Sequence, residues 1–160
     1  MQDIRSLTFK IRPLLIDSPD IETSLKWLCT SINEDYNVSF KFTGTGTTIP
    51  LAPKLRETLW RVVRELLLNV IKHAKTAHAV LSLHTDDCNL TLRVIDQGVG
   101  FSYFGADSKR TALGGFGLIS VRQRVEWIGG TLAVESTPDR GSVVTVVVPI
   151  QQDHTGRGDI

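Results

Sequence analysis

The sequence predicts an α+β fold: a two-layer α/β sandwich in which a mixed, mostly antiparallel sheet of about five strands is covered on one face by about three helices. Three observations predict it. Apolar residues recur at helical spacing in three separate segments, and alternating or apolar runs of strand length stand between and after them. The strands fall mostly in hairpin pairs, with the helices interspersed. At 160 residues and 41% hydrophobic content, the chain suits one globular domain with a sizeable core.

Each element has its own justification. Residues 1–17, MQDIRSLTFKIRPLLID, carry Ile4, Leu7 and Ile11 on one side of an amphipathic segment that Pro13 interrupts, so the segment reads as the end of a longer helix. Ser18 followed by Pro19 predicts an N-cap and a first helical residue, and Ile21, Leu25, Leu28 and Ile32 carry that helix to about Asp35. Val38 to Phe42 alternates as a short strand does, and GTGTTIP from Gly44 is a turn-rich connection. From Leu55 onward, Leu59, Val62, Val63, Leu66, Val70, Ile71 and Ala74 define a wide apolar face over about five turns, the central helix. Ala79–Leu83 and Leu90–Ile95 predict two strands with Asp86 and Asp87 at the hairpin tip. Asp96 closes the second strand, and the chain then breaks into Gly98-x-Gly100.

Residues 102–115 have weak periodicity and much Gly, Ser and Ala, which predicts a mobile loop. Phe116 to Ile128 resumes helical spacing. Thr131–Glu135 and Val143–Val148 predict a last strand pair around the turn TPDRG, and QQDHTGRGDI predicts a disordered tail. The expected organisation is therefore a linker segment at 1–17, one domain at 18–150 and a tail at 151–160.

Charge and cysteine content narrow the function classes. Eighteen basic residues nearly balance seventeen acidic ones, so the chain has no electrostatic footprint for duplex nucleic acid or for an anionic membrane surface. Any anionic ligand must be held locally. Cys29 and Cys88 suggest neither a disulfide framework nor a zinc site, which fits a reducing, cytoplasmic compartment. No run reaches the roughly 20 apolar residues of a membrane span.

Two constellations carry chemistry. In the central helix Glu65, Asn69 and Lys72 stand at i, i+4 and i+7, on one polar strip in which Asn69 lies about 40° to one side of Glu65 and Lys72 about 20° to the other. Such a strip is commonly a solvated helix edge. Asn, however, is a poor helix former, and its place between Leu68 and Val70 calls for a reason beyond solubility. A carboxylate, an amide oxygen and an ammonium in a row can arrange a water, a magnesium ion and a phosphate. Beyond the loop, Gly114, Gly115, Phe116, Gly117 and Leu118 open directly into a helix, where free N–H groups can cradle phosphate. By itself this is equally a flexible entry to an amphipathic helix, and Asp96 by itself is equally a turn residue.

Taken in order, Glu65-x-x-x-Asn69-x-x-Lys72-His73, Asp96-x-Gly98-x-Gly100 and Gly115-x-Gly117-Leu118 resemble the ATP-binding domain of sensor histidine kinases, a fold shared with type II topoisomerases, a heat-shock chaperone and mismatch-repair ATPases. The run GGFGLISVRQRVEWIGGTLAVESTPDRGSVVTVVVP resembles especially the class related to nitrate and degradative-enzyme sensors, and SLTFKIRPLLID resembles the end of that class's dimerisation helix and its linker. The resemblance implies that Asn69 binds Mg²⁺ bridging the ATP phosphates, with Glu65 acting through a water. Lys72 and His73 approach phosphate or ribose. It further implies that Asp96 accepts from the exocyclic amine of adenine, that Gly98 and Gly100 let the chain turn around the base, and that residues 102–115 form the ATP lid. Gly115, Gly117 and Leu118 belong to its phosphate-binding end, and Thr145 matches a position that supports the adenine site. ATP and Mg²⁺ are the implied cofactors.

The resemblance also implies partners: a dimerisation helix carrying the phosphoacceptor histidine, a homodimer in the full-length protein, and a response regulator with a helix-turn-helix output domain. None of His73, His78, His84 and His154 matches the acceptor, so the expected reading is a cytoplasmic catalytic domain apart from that helix. An anti-sigma-type serine kinase, an ATPase of the same fold and a regulatory nucleotide-binding module remain alternatives, and membrane anchoring of the full-length protein is left open.

Overall fold

The computed structural model describes residues 20–103 and 116–150. The expected linker at 1–17, Ser18 and Pro19, most of the expected lid including Gly115, and the tail lie outside the described residues. The order is helix α1 (Ile21–Tyr36), strand β1 (Ser39–Thr43), helix α2 (Pro53–Asn69) continued by a π-helical turn (Val70–Ala74), strands β2 (His78–Thr85) and β3 (Asn89–Asp96), helix α3 (Phe116–Trp127), and strands β4 (Thr131–Ser136) and β5 (Ser142–Pro149). Among the described residues this is an α+β sandwich of three helices on one open five-stranded sheet.

The ends of the helices follow from local chemistry. Helix α1 is capped not by Ser18 but by Asp20, whose carboxylate accepts from the N–H groups of Glu22 and Thr23 at 3.3 and 3.1 Å. Two residues further on than expected, an ionised side chain meets the positive end of the helix. Asn37, at φ 52°, ends α1 in the left-handed conformation that Asn tolerates. Helix α2 has no side-chain cap; Pro53, with φ preset and no N–H to leave unsatisfied, starts it instead.

The sheet order is β1-β2-β3-β5-β4. β1 and β2 are parallel because α2 forms the crossover between them, and the remaining pairs are antiparallel. The last hairpin docks through β5 onto β3, so Ser142 lies opposite Asp96 and Val144 opposite Val94. Period-2 alternation turns Leu81, Leu83, Leu90, Leu92, Val94, Val144, Val146 and Val148 toward the helices, where they are buried with Leu25, Leu59, Val62, Val63, Val121 and Val125. Each such side chain contributes about 1.5–3 kcal/mol of burial. The edge strand β1 is held by Asn33 of α1, whose amide donates to the Phe40 carbonyl at 2.9 Å and accepts from the Phe40 N–H at 2.7 Å. No helix among the described residues is long and apolar enough to cross a membrane.

Candidate functional site

The apolar interior ends where β3 stops and α2 changes pitch, and there an open cleft of about 630 Å³ separates the sheet from the helices. Leu66, Asn69, Val70, His73 and Ala74 line it from the central helix, and Val94 and Asp96 from β3. Gly100 and Phe101 close one end, Gly117 and Leu118 the other, and Ser142 and Val144 of β5 complete the floor.

Asp96 is the buried charge of this cleft, only 5% exposed. Its Oδ1 accepts from the Gly98 N–H at 2.8 Å, and its Oδ2 accepts from the Ser142 hydroxyl. Both oxygens are oriented, yet a carboxylate has about four acceptor directions, so capacity remains for a donor in the cleft. The following turn is tightly held. A Cβ on Gly98 would stand 2.1 Å from the Ala74 carbonyl oxygen, and the next N–H, of Val99, donates to that oxygen at 2.8 Å. Gly100 has φ +58°, and a Cβ there would stand 2.1 Å from the Thr137 carbonyl oxygen.

At the other end, Gly117 opens α3 directly against the polar residues of α2. A Cβ on it would lie 3.3 Å from both the amide nitrogen and the amide oxygen of Asn69 and 3.5 Å from Glu65 Oε1. The missing side chain leaves a small space bordered by an amide oxygen and a carboxylate. The cleft therefore has one end with an oriented acceptor among apolar walls, and another where an amide and a carboxylate stand next to a helix N-terminus.

Comparison with known proteins agrees with this arrangement. Residues 54–152, well over half of the chain, match the family described as histidine kinase-, DNA gyrase B-, and HSP90-like ATPase. The chain belongs to this ATPase family. Membership implies ATP binding. Among curated relatives it is 29% identical over 150 residues to the oxygen sensor histidine kinase NreB of Staphylococcus carnosus, covering 94% of this chain and 42% of that protein. It is 27% identical over 152 residues to the signal transduction histidine-protein kinase/phosphatase DegS of Brevibacillus brevis, covering 94% and 38%. The chain thus spans well under half the length of these curated relatives. Two solved structures share its fold: the histidine kinase domain of the Erythrobacter litoralis EL346 blue-light activated kinase (TM-score 0.67, 22% identity, 81% of this chain and 61% of that one) and Acinetobacter baumannii histidine kinase AdeS (TM-score 0.67, 17% identity, 83% and 66%).

The cleft gathers most of the expected site residues and leaves two outside it. Asn69, His73, Asp96, Gly100, Gly117 and Leu118 line it, and Glu65 and Gly98 border it. Lys72 does not share their strip: it is exposed and absent from the lining. The cause is the π-helical turn at Val70–Ala74. A π residue advances by roughly 80–85° against about 100° for an α residue, so from Asn69 onward the helix lags and Lys72 ends about 70° from Glu65. His73 falls instead within about 10° of Glu65. Lys75, at φ 52°, then ends the helix.

Thr145 is the second correction. It pairs with Arg93 and Ala133 on the sheet face away from the helices, one residue out of phase with the lining residue Val144. Ser142 supports Asp96 in its place. Sequence reasoning missed it, although strand parity was a usable signal: residues 144, 146 and 148 turn inward, and Ser142 shares their parity whereas Thr145 does not.

Proposed function

We propose that this chain is the ATP-binding catalytic domain of a two-component sensor histidine kinase and donates the γ-phosphoryl group of ATP to a histidine on a dimerisation helix. The observation that carries the reading is the two-ended cleft: Asp96, oriented by Gly98 and Ser142, at one end, and Glu65, Asn69 and Gly117 around a small polar space at the other. The named relatives, which match 94% of the chain, favour a kinase of this class over other members of the ATPase family.

In this reading Asp96 accepts a hydrogen bond from the exocyclic amine of adenine, and the ring lies between Val94 and Val144 on one side and Ala74 and Phe101 on the other. Gly98 and Gly100 keep the turn close enough to border the base. Gly117 and Leu118 present the start of α3 to the phosphates, with Gly115 two residues before Gly117 in sequence. The Asn69 amide oxygen suits Mg²⁺, which takes few protein oxygens and keeps several waters, and Glu65 holds one of those waters. When bound, the ion supplies neutralisation of phosphate charge. His73 faces the phosphates or ribose from the π turn, and Lys72, at the rim, adds long-range positive charge. The chain's part in transfer is positioning and electrostatic stabilisation, as in phosphoryl transfer generally. The acceptor would be a histidine nitrogen, the homodimer and a response regulator with a helix-turn-helix output domain would be the partners, and the domain would work in the cytoplasm, with residues 1–17 as linker and 18–150 as the domain itself.

The test mixes the chain with a dimerisation-helix fragment bearing its histidine and with γ-labelled ATP. Label on the histidine is expected. Sustained ATP hydrolysis by the chain alone, abolished by Glu65→Gln, would instead favour an ATPase with Glu65 as general base; tight ATP binding with neither outcome would favour a regulatory module.

A further inference from the structure

The end row of the sheet carries three polar residues where the rows behind it are apolar. Ala79, Asp96, Ser142 and Ser136 stand side by side across β2, β3, β5 and β4, all on the helix-facing side. Asp96 and Ser142 face the cleft, whereas Ser136 does not line it. Its hydroxyl nonetheless bridges two backbone groups: it accepts from the Phe101 N–H at 2.9 Å and donates to the Gly141 carbonyl oxygen at 3.0 Å. Phe101 is a cleft wall, and Gly141 immediately precedes Ser142, the partner of Asp96.

The turn that carries Ser136 grips the same segment at further points. The Asp139 N–H donates to the Val99 carbonyl at 2.7 Å, and the Thr137 carbonyl oxygen occupies the space a side chain on Gly100 would need. Gly141, at φ +75°, has no room for a Cβ because the Asp96 carbonyl oxygen would lie 2.1 Å away. Thus the β4–β5 turn is packed and bonded onto residues 96–101, the whole base end of the cleft, through contacts to chain lying some 35 to 46 residues earlier.

We infer that Ser136 is a positioning residue for base recognition: through Phe101 and Gly141 it fixes the distance between the cleft wall and the Asp96–Ser142 pair, and so sets the discrimination for a 6-amino purine. The inference rests on the adenine reading of Asp96. Removing the hydroxyl frees the Phe101 N–H and the Gly141 carbonyl together, the wall relaxes, and the base loses its register with the carboxylate. The phosphate end, held by Asn69 and Gly117 on other elements, is left as it was.

The experiment measures binding of ATP, purine riboside triphosphate, which lacks the amine, and adenosine to wild type, Ser136→Ala and Ser136→Thr. Wild type is expected to prefer ATP over the deaminated analogue by at least about tenfold, the worth of one hydrogen bond to a charged group. Ser136→Ala should reduce that preference to within roughly threefold while leaving the ATP-to-adenosine ratio within about twofold, and Ser136→Thr, which keeps the hydroxyl, should restore it. Equal weakening of all three ligands would overturn the positioning role. Absence of any preference in wild type would instead remove the adenine reading itself. Should Ser136→Ala fail to fold, amide exchange on wild type decides: the Phe101 N–H should be protected more by ATP than by inorganic triphosphate, and equal protection would sink the inference.

Discussion

Replacing Asp96 with Asn probes the base end of the cleft with little change in shape. In the wild type, Oδ1 accepts from Gly98 at 2.8 Å and Oδ2 accepts from Ser142. An Asn that keeps its oxygen toward Gly98 presents its NH₂ to Ser142, whose hydroxyl can rotate and accept. Both internal contacts therefore survive in altered form, and the loss of folding stability should be about 1 kcal/mol. The ligand fares worse. The exocyclic amine of adenine exchanges a charged acceptor for a site that now carries two donors, and a hydrogen bond to a charged group is worth about 1.5–3 kcal/mol. At about 1.4 kcal/mol per decade, ATP should bind roughly ten- to a hundredfold more weakly. Calorimetric titration with Mg-ATP, alongside a thermal melt of both proteins, separates the two effects. Undiminished affinity in a folded Asp96→Asn would refute the assignment of Asp96 to the base, whatever becomes of the phosphate end.

Asn69→Ala should abolish most of the gain in ATP affinity that Mg²⁺ confers while leaving metal-free binding within about threefold, checked by titrations with and without the ion. Gly98→Ala forces a Cβ to within 2.1 Å of the Ala74 carbonyl oxygen; a cost of about 2–3 kcal/mol or more is expected in urea unfolding, and a midpoint equal to wild type would show that the turn yields easily. Cys88 is exposed, whereas burial pushes the Cys29 thiol up to about 11, so a thiol reagent near pH 8 should modify one cysteine rapidly in the native protein and the second only after denaturation. Burial acts to raise the Asp20 carboxyl, but hydrogen bonds from Thr23, Ile49 and Glu22 outweigh it and hold the group below its ordinary 3.8. Its folded value being depressed, the stabilisation is present above about pH 4 and lost as pH falls through the folded value; Asp20→Ala should cost about 1 kcal/mol at pH 7, and its gap from wild type should narrow in acid.

Much of this protein was legible because it is written in local periodicity. Alternation and 3.6-residue spacing mark strands and helices wherever one face is buried, and Leu59 to Leu66 or Leu90 to Val94 obey both rules plainly. The three motifs to which the proposed nucleotide chemistry is assigned are short for the same reason: a helix face and two glycine turns are properties of a few consecutive residues. By contrast, the helix start moved from Ser18 to Asp20 because neighbouring candidates for a cap compete on geometry, which composition does not rank.

What the sequence by itself determined, then, is the inventory: which segments are helix or strand, and that Asn69, Asp96 and Gly117 lie in three short motifs that resemble those of this ATPase family. Tertiary structure decided which side chains meet. The alternation within β5 already turns Thr145 outward, but it takes the pairing of β5 with β3 to bring Ser142 to Asp96 across 46 residues of chain, a partnership that the parity of β5 alone does not choose. The π turn leaves Lys72 exposed and His73 on the cleft, and the carbonyl of its last residue, Ala74, accepts from the N–H of Val99 on a distant segment. Such choices minimise the free energy of the whole sheet-and-helix assembly, and a contact between distant segments leaves no trace in the spacing of either one.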